Sequence, residues 1–312
     1  MRRVPLALLK ALTIVLLGIV GTVAGSVGAV FLTPAGRGLA GRTLSERLDR
    51  LVHGDVQLGA VGGPLWSGLT IEDLVIRDTA GDPVLEADTL SVHYHLAELL
   101  AGRIVLHDVA LVGPRATLEK GHDGRWNVGR LFASSGDTAT AGAPPLIRLD
   151  GLTIARGNIV LRTPWDPPDS MRTPRLAARA LAEDRARPGR VISAGSDGYR
   201  KELTIAGFGA RFATLRLSTP RHEPIHGEFD SLAARVSDPG LDLRAARGSA
   251  ELDGDKLTLA IEQGRLPATT FTASGTIALT ATPAFDLRLG ATRLALRDVR
   301  GIVPGLPDLS GS

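Results

Sequence analysis

With 312 residues, no cysteine, a formal net charge of +3 and only 4% aromatics, the chain excludes several classes at once. Disulfide staples and thiolate metal sites are impossible, and no Lys/Arg cluster interleaved with aromatics offers a nucleic-acid face. Lysine occurs only at positions 10, 120, 201 and 256, so the basic character is arginine spread along the chain, in the Arg-, Ala- and Gly-rich style of a high-GC bacterium.

Val4–Leu32 is one apolar run, with Arg2 and Arg3 before it and Lys10 near its start. Its charge-free part, Ala11–Leu32, makes about 33 Å of helix, against a hydrocarbon core of roughly 30 Å. A cleaved signal peptide has an apolar core of only ~7–15 residues. Small residues between Ala24 and Ala29 offer a cleavage site, but the length predicts an uncleaved signal anchor over residues 1–36. The positive-inside rule places its N-terminus in the cytoplasm and the rest of the chain across the membrane. Gly21 and Gly25 form a G-x-x-x-G pair, which permits close helix contact without requiring it.

Residues 37–53 place Leu39, Leu44, Leu48, Leu51 and Val52 at helical spacing, which predicts a short amphipathic helix. From Asp55 the period becomes two. Leu69–Asp78, Val84–Tyr94, Ile104–Val112 and Ala116–Glu119 each alternate apolar and polar residues between Gly, Pro or Asp turn signals. His95–Gly102 reads as a turn or two of helix closed by glycine. Residues 132–145 are small and polar and read as a flexible linker between one β region (54–131) and a second (146–312). Thr163–Pro174 holds four prolines and must be irregular. Leu176–Arg187 suits a helix by propensity or an Arg-rich strand. Beyond it the alternation resumes, through Leu203–Ile205, Ala213–Ser218, Leu257–Glu262, Thr270–Leu279 and Phe285–Leu289, to an ending at Ile302–Pro304. The fold class that follows is mainly β: an N-terminal transmembrane helix, then an elongated antiparallel sheet with short helical insertions.

One face of that sheet offers Leu, Ile, Val and Phe, the other Arg, Asp, Thr and Glu. Two such sheets could bury each other in a sandwich, or one curved sheet could leave its apolar face open as a trough. Periodicity does not separate the two.

Catalytic chemistry finds little to stand on. The histidines (53, 93, 95, 107, 122, 222 and 226) lack an H-E-x-x-H arrangement. His93 and His95 share a strand face at a spacing that can bind zinc, but the reading preferred is a polar strand face with two solvent-facing histidines. Asp166, Asp169, Asp253 and Asp255 read as turn carboxylates, with Asp253–Gly254–Asp255 a hairpin tip. No nucleophile elbow or phosphate loop is present, and Gly207–Phe208–Gly209 lacks a third glycine. No enzyme, metal site or cofactor is expected. Trp66 and Trp126 read as packing anchors at sheet edges.

Three ordered patterns go further. Leu65-Trp66-Ser67-Gly68-Leu69-Thr70-Ile71-Glu72-Asp73-Leu74-Val75-Ile76-Arg77-Asp78 precedes Pro83-Val84-Leu85-Glu86-Ala87-Asp88. Leu99-Leu100-Ala101-Gly102-Arg103-Ile104 leads to Gly113-Pro114-Arg115-Ala116-Thr117-Leu118. Asp123-Gly124-Arg125-Trp126-Asn127 follows. In this order, after an N-terminal anchor, they resemble the N-terminal region of the AsmA-like/TamB family, the inner-membrane subunits of the translocation and assembly module. Ile147–Ile159 looks like the family's next repeat opening. The resemblance covers the anchor and about residues 55–160. Family chains of the TamB kind are several times longer, so the chain reads as a truncated piece or a shorter relative.

What the resemblance implies is a curved, groove-like β-sheet reaching from the inner membrane into the periplasm. It also implies a part in phospholipid transport and outer-membrane assembly. The partners implied are the membrane, phospholipid acyl chains and an outer-membrane β-barrel assembly partner. The candidate groove lining is Leu69, Ile71, Leu74, Ile76, Leu90, Val92, Ile104, Leu106, Leu111, Leu152, Ile154, Ile159 and Leu161. Trp66, Gly68, Asp123, Gly124, Trp126 and Asn127 are the motif positions expected to pack. The competing expectation is a membrane-anchored scaffold that carries no lipid.

Overall fold

The computed structural model describes residues 54–298, short internal stretches excepted, of which 128–145 is the longest. The expected anchor (1–36), amphipathic helix (37–53), linker (132–145) and ending at Ile302–Pro304 lie outside the described residues. Among the described residues no helix is long and apolar enough to cross a membrane.

The first strand series is β1 (Asp55–Gln57), β2 (Val61–Gly62), β3 (Gly68–Arg77), β4 (Pro83–Tyr94), β5 (Ile104–Val112) and β6 (Arg115–Glu119). Then come β7 (Ile147–Trp165), β8 (Val191–Gly195), β9 (Gly198–Ser218), β10 (Ile225–Val236) and β11 (Leu241–Leu243). The last four are β12 (Ala245–Asp253), β13 (Lys256–Arg265), β14 (Thr270–Ala278) and β15 (Ala284–Arg293). All fifteen belong to one sheet, whose main path runs β1-β3-β4-β5-β7-β9-β10-β12-β13-β14-β15. One helix, α1 (Pro174–Arg185), sits between β7 and β8 and settles the Leu176–Arg187 ambiguity. Pro174 suits its first turn, where a missing N–H costs nothing, and Ala180 and Leu181 are its buried residues.

The all-antiparallel expectation fails at one place. β5 and β6 pair with β7 in parallel, Ile104 opposite Ile147 and Arg115 opposite Asn158. A tight hairpin would reverse the chain, but the long connection from β6 to β7 returns it to the starting end of β5, so β7 runs the same way. Period-two patterning carries no information on direction. The two β regions on either side of the linker therefore share one ladder.

A second departure explains spacings that break the period. Ile71 and Leu74, Leu106 and Val109, and Leu149 and Leu152 are three apart, which in a regular strand sends one of each pair to the opposite face. Yet all six are at most 2% exposed. The chain absorbs each slip at a residue in the left-handed region: Asp73 (φ 51°), Asp108 (φ 47°) and Gly151 (φ 80°). Asp and Gly are among the residues that enter this region at least cost. The patterns Ile-Glu-Asp-Leu, Leu-His-Asp-Val and Leu-Asp-Gly-Leu are thus one device used three times.

A related interruption joins two of the family-like motifs. β5 and β6 are one long strand broken at Gly113–Pro114, with Gly113 N–H donating to the Ala155 carbonyl at 2.8 Å and Asn158 N–H to the Pro114 carbonyl at 2.8 Å. Opposite the break, Arg115 and Arg156 donate to the Asp88 carboxylate at 2.9 and 3.4 Å. Gly113 has φ 61°, and a Cβ there would overlap that carboxylate. Gly113→Ala is expected to lose about 1–2 kcal/mol through left-handed strain alone. It should lose more by displacing Asp88, so its melting temperature should fall below that of Gly81→Ala, where a Cβ meets open space at a similar φ.

Candidate apolar groove

Cross-strand registers place apolar side chains in rows that run the width of the sheet. One row is Tyr94, Leu106, Leu149, Leu215, Gly227, Ala250, Leu259, Gly275 and Leu287, each opposite the next. A second is Val109, Leu152, Phe212, Phe229, Gly248, Ile261, Ala273 and Leu289. The opposite face is charged: Arg162 meets Glu202 at 3.0 Å, Arg148 meets Asp150 at 2.8 Å and Arg247 meets Glu262 at 3.6 Å. Such exposed pairs contribute ~0–1 kcal/mol each, and they mark the face that water covers.

Along the first row the environment changes steadily, whereas the second is buried at Phe229 and again at Ala273 before it opens at Leu289. Leu106 and Leu149 are fully buried, Leu215 is 7% exposed, Ala250 and Leu259 are half-buried, and Leu287 and Leu289 are 38% and 73% exposed. Side-chain bulk falls in the same direction, with Gly227, Gly248, Ala250 and Gly275 where the first half carries leucines. The sheet's apolar face is thus a sealed core at the β3–β7 end, a shallow, half-buried surface over β12–β14, where Leu252 and Ala273 are still buried, and an exposed one at β15.

This division relocates the expected lining. Leu69, Ile71, Leu74, Ile76, Leu90, Val92, Leu106, Leu111 and Leu152 are buried members of one core cluster, and Ile104, Ile154, Ile159 and Leu161 are partly buried against it. Side chains with almost no exposed area present nothing to an external ligand, so in this conformation the apolar face is open at Leu287 and Leu289 of β15 and half-open at Ala250, Leu259 and Ile261. Tyr94 shares the sealed part. It is 1% exposed, and burial pushes its phenol up to about 12, keeping it neutral.

The motif positions divide. Trp126 is 6% exposed and joins the core. Asn127, 5% exposed, works as a strand substitute: its Oδ1 accepts from Glu119 N–H at 3.0 Å and its Nδ2 donates to the Thr117 carbonyl at 2.8 Å. Gly68 is buried against the His93 ring and the Val92 carbonyl, where a Cβ would crowd both. Asp123 and Gly124 make the turn that brings Trp126 back, with Gly124 N–H bonded to the Gly121 carbonyl at 3.0 Å. Trp66 is the exception. It stands in the turn before β3, 68% exposed, because the tight Pro64–Gly68 bonds fix a turn that carries it outside the sheet.

His93 and His95 flank the inward Tyr94, and the His95 ring lies 5.0 Å from that of His107. Among the described residues no group of three or more His, Asp or Glu is placed to hold a metal ion.

Pattern reading missed a second concavity, of about 560 Å³, where α1 meets the ends of β7 and β9. Trp165 and Tyr199 stand edge to face there at 6.0 Å, and the Arg185 guanidinium lies 5.2 Å from the Tyr199 ring centre. Behind them is a charge network. Trp165 Nε1–H and Arg190 donate to Asp184 at 2.8 and 2.7 Å, while Arg190 and Lys201 meet Asp238 at 2.8 and 3.0 Å. Burial raises both carboxyls, but the bonds from Trp165 and Arg190 at Asp184, and from Arg190 and Lys201 at Asp238, outweigh it and hold both below the ordinary carboxylate range. Depressed values stabilise the fold fully above the unfolded pKa, about 3.9, and that stabilisation is lost as pH falls through the folded values. Acid titration followed by circular dichroism should therefore show unfolding below about pH 4. Arg190→Met should move the midpoint to higher pH.

Comparison with protein-family models and with the curated proteins finds no match to this chain.

Proposed function

We propose that this chain is a membrane-tethered envelope protein of the AsmA-like/TamB kind that accommodates phospholipid acyl chains on the apolar face of a curved, elongated sheet. The N-terminal run Ala11–Leu32 is its inner-membrane anchor, and the sheet stands in the periplasm. The observation that carries the reading is the unbroken apolar row from Leu106 to Leu287, sealed at one end and uncovered at the other. An acyl chain laid on such a surface gains about 0.8 kcal/mol per buried CH₂. Ala250 and Gly275, the small residues on either side of Leu259 in the row, keep that stretch of the surface shallow. The sealed β3–β7 end acts as the rigid root, and β12–β15 provide the contact surface.

A photo-crosslinking amino acid placed at Ile261 or Leu259 in cells should yield a phospholipid adduct, identified by mass spectrometry, while one at Thr258, on the charged face, should not. Absence of lipid at Ile261 and Leu259 alike would leave the scaffold reading in possession.

A further inference from the structure

We propose that β15 is a self-pairing edge, joining antiparallel to β15 of a second copy of this chain so that two sheets become one. β15 ends the strand order, and among the described residues its outer edge has no strand partner. An uncovered edge presents a row of free N–H and C=O groups, and soluble proteins normally blunt such an edge. This one carries no proline between Ala284 and Arg293 and exposes Leu287 and Leu289 on its apolar face.

The second copy is specified by charge and register. Asp286 and Arg288 stand on the polar face and find only Thr276 and Ser274 opposite them on β14. Neighbouring strands fill such positions with cross-strand pairs, as Arg247 does with Glu262. Facing residues of an antiparallel pair share a face, so a two-fold axis must pass through a single residue position. Centred on Leu287, it sets Asp286 opposite Arg288 of the second copy and Arg288 opposite its Asp286. Leu287 then meets its own equivalent and Ala284 lies opposite Gly290. Moving the axis by one position aligns like charges, Asp286 on Asp286 or Arg288 on Arg288. Moving it to Leu289 pairs neither charge. Of these registers only the Leu287-centred one satisfies both charges, and it also continues the apolar rows from one copy into the other.

The natural absence of cysteine makes the test direct. In the full chain in detergent, Leu287→Cys should oxidise to a disulfide-linked species at twice the 32.7 kDa chain mass. Facing Cα atoms lie ~4.5–5.5 Å apart, within the range a disulfide bridges. Leu289→Cys should not cross-link, although that position is more exposed, because its two copies are offset by four residues, roughly 14 Å. In the Leu287→Cys background, Asp286→Arg should abolish the dimer and Asp286→Arg with Arg288→Asp should restore it. Cross-linking at Leu289→Cys equal to that at Leu287→Cys would reveal random collision and overturn the proposal. So would a Leu287→Cys chain that stays monomeric, the result expected if residues beyond 298 cover the edge.

Discussion

Leu106→Ala is expected to destabilise the protein by about 2–5 kcal/mol, the usual cost of emptying a fully packed leucine site. Leu106 has no exposed area and stands on β5 between Tyr94 and Leu149, in the sealed part of the apolar face. Neighbouring strands anchor its surroundings on both sides, so the cavity has little scope to collapse. Urea unfolding followed by tryptophan fluorescence measures the loss, since Trp126 belongs to the same core cluster. Leu106→Met conserves volume and should cost under ~1.5 kcal/mol. If Leu106→Ala lost less than about 1 kcal/mol, the β3–β7 face would not be the close-packed core described above.

The second large effect separates function from stability. Leu259→Asp should lower the unfolding midpoint much less than Leu106→Ala does, because Leu259 is only half-buried and a carboxylate there can still reach water. Lipid capture at a photo-reactive residue placed at Ala250, opposite Leu259 in the same row, should nevertheless fall to background. An acyl chain on this row must cross the Leu259 position, and contact with an ionised carboxylate there replaces a favourable apolar contact by an unfavourable desolvation. Thr258→Asp, one residue away on the charged face, should change neither quantity. Equal lipid capture in Leu259→Asp and the parent chain would show that the adduct does not report occupancy of the row.

The strands themselves were legible because alternation is written plainly into stretches such as Leu257–Glu262 and Ala213–Ser218. Three things were not. Strand direction leaves no trace in a period of two, so the parallel joint at β7 went unread. The three-residue spacings at Leu74, Val109 and Leu152 passed as plain alternation, although Asp73, Asp108 and Gly151 signalled the left-handed turns that correct them. The distribution of burial along the apolar face depends on what covers each strand, which one strand's own residues do not specify. Leu69 and Leu259 read alike in sequence, yet one is core and the other is half-open. Within the motifs, Asp88 and Gly113 turned out to be neighbours across the sheet, whereas Trp66 stands mostly exposed in the turn before β3. The aromatic concavity beside α1 escaped notice because Trp165, inside the proline-rich stretch, and Tyr199 lie far apart in the chain.

The parallel joint also has a consequence for how the protein is made. The ribosome completes β1 through β6 well before Ile147 appears, so the β5–β6 edge waits unpaired while about thirty residues are synthesised, on the order of seconds at cellular rates. During that interval it is an open strand edge of the growing chain. Gly113 and Pro114 interrupt it at mid-length, which is how natural sheets discourage unwanted strands from annealing. The break that keeps Asp88 in place in the finished sheet therefore also guards the nascent one. A variant that made this edge continuous would be expected to show the damage first in expression yield.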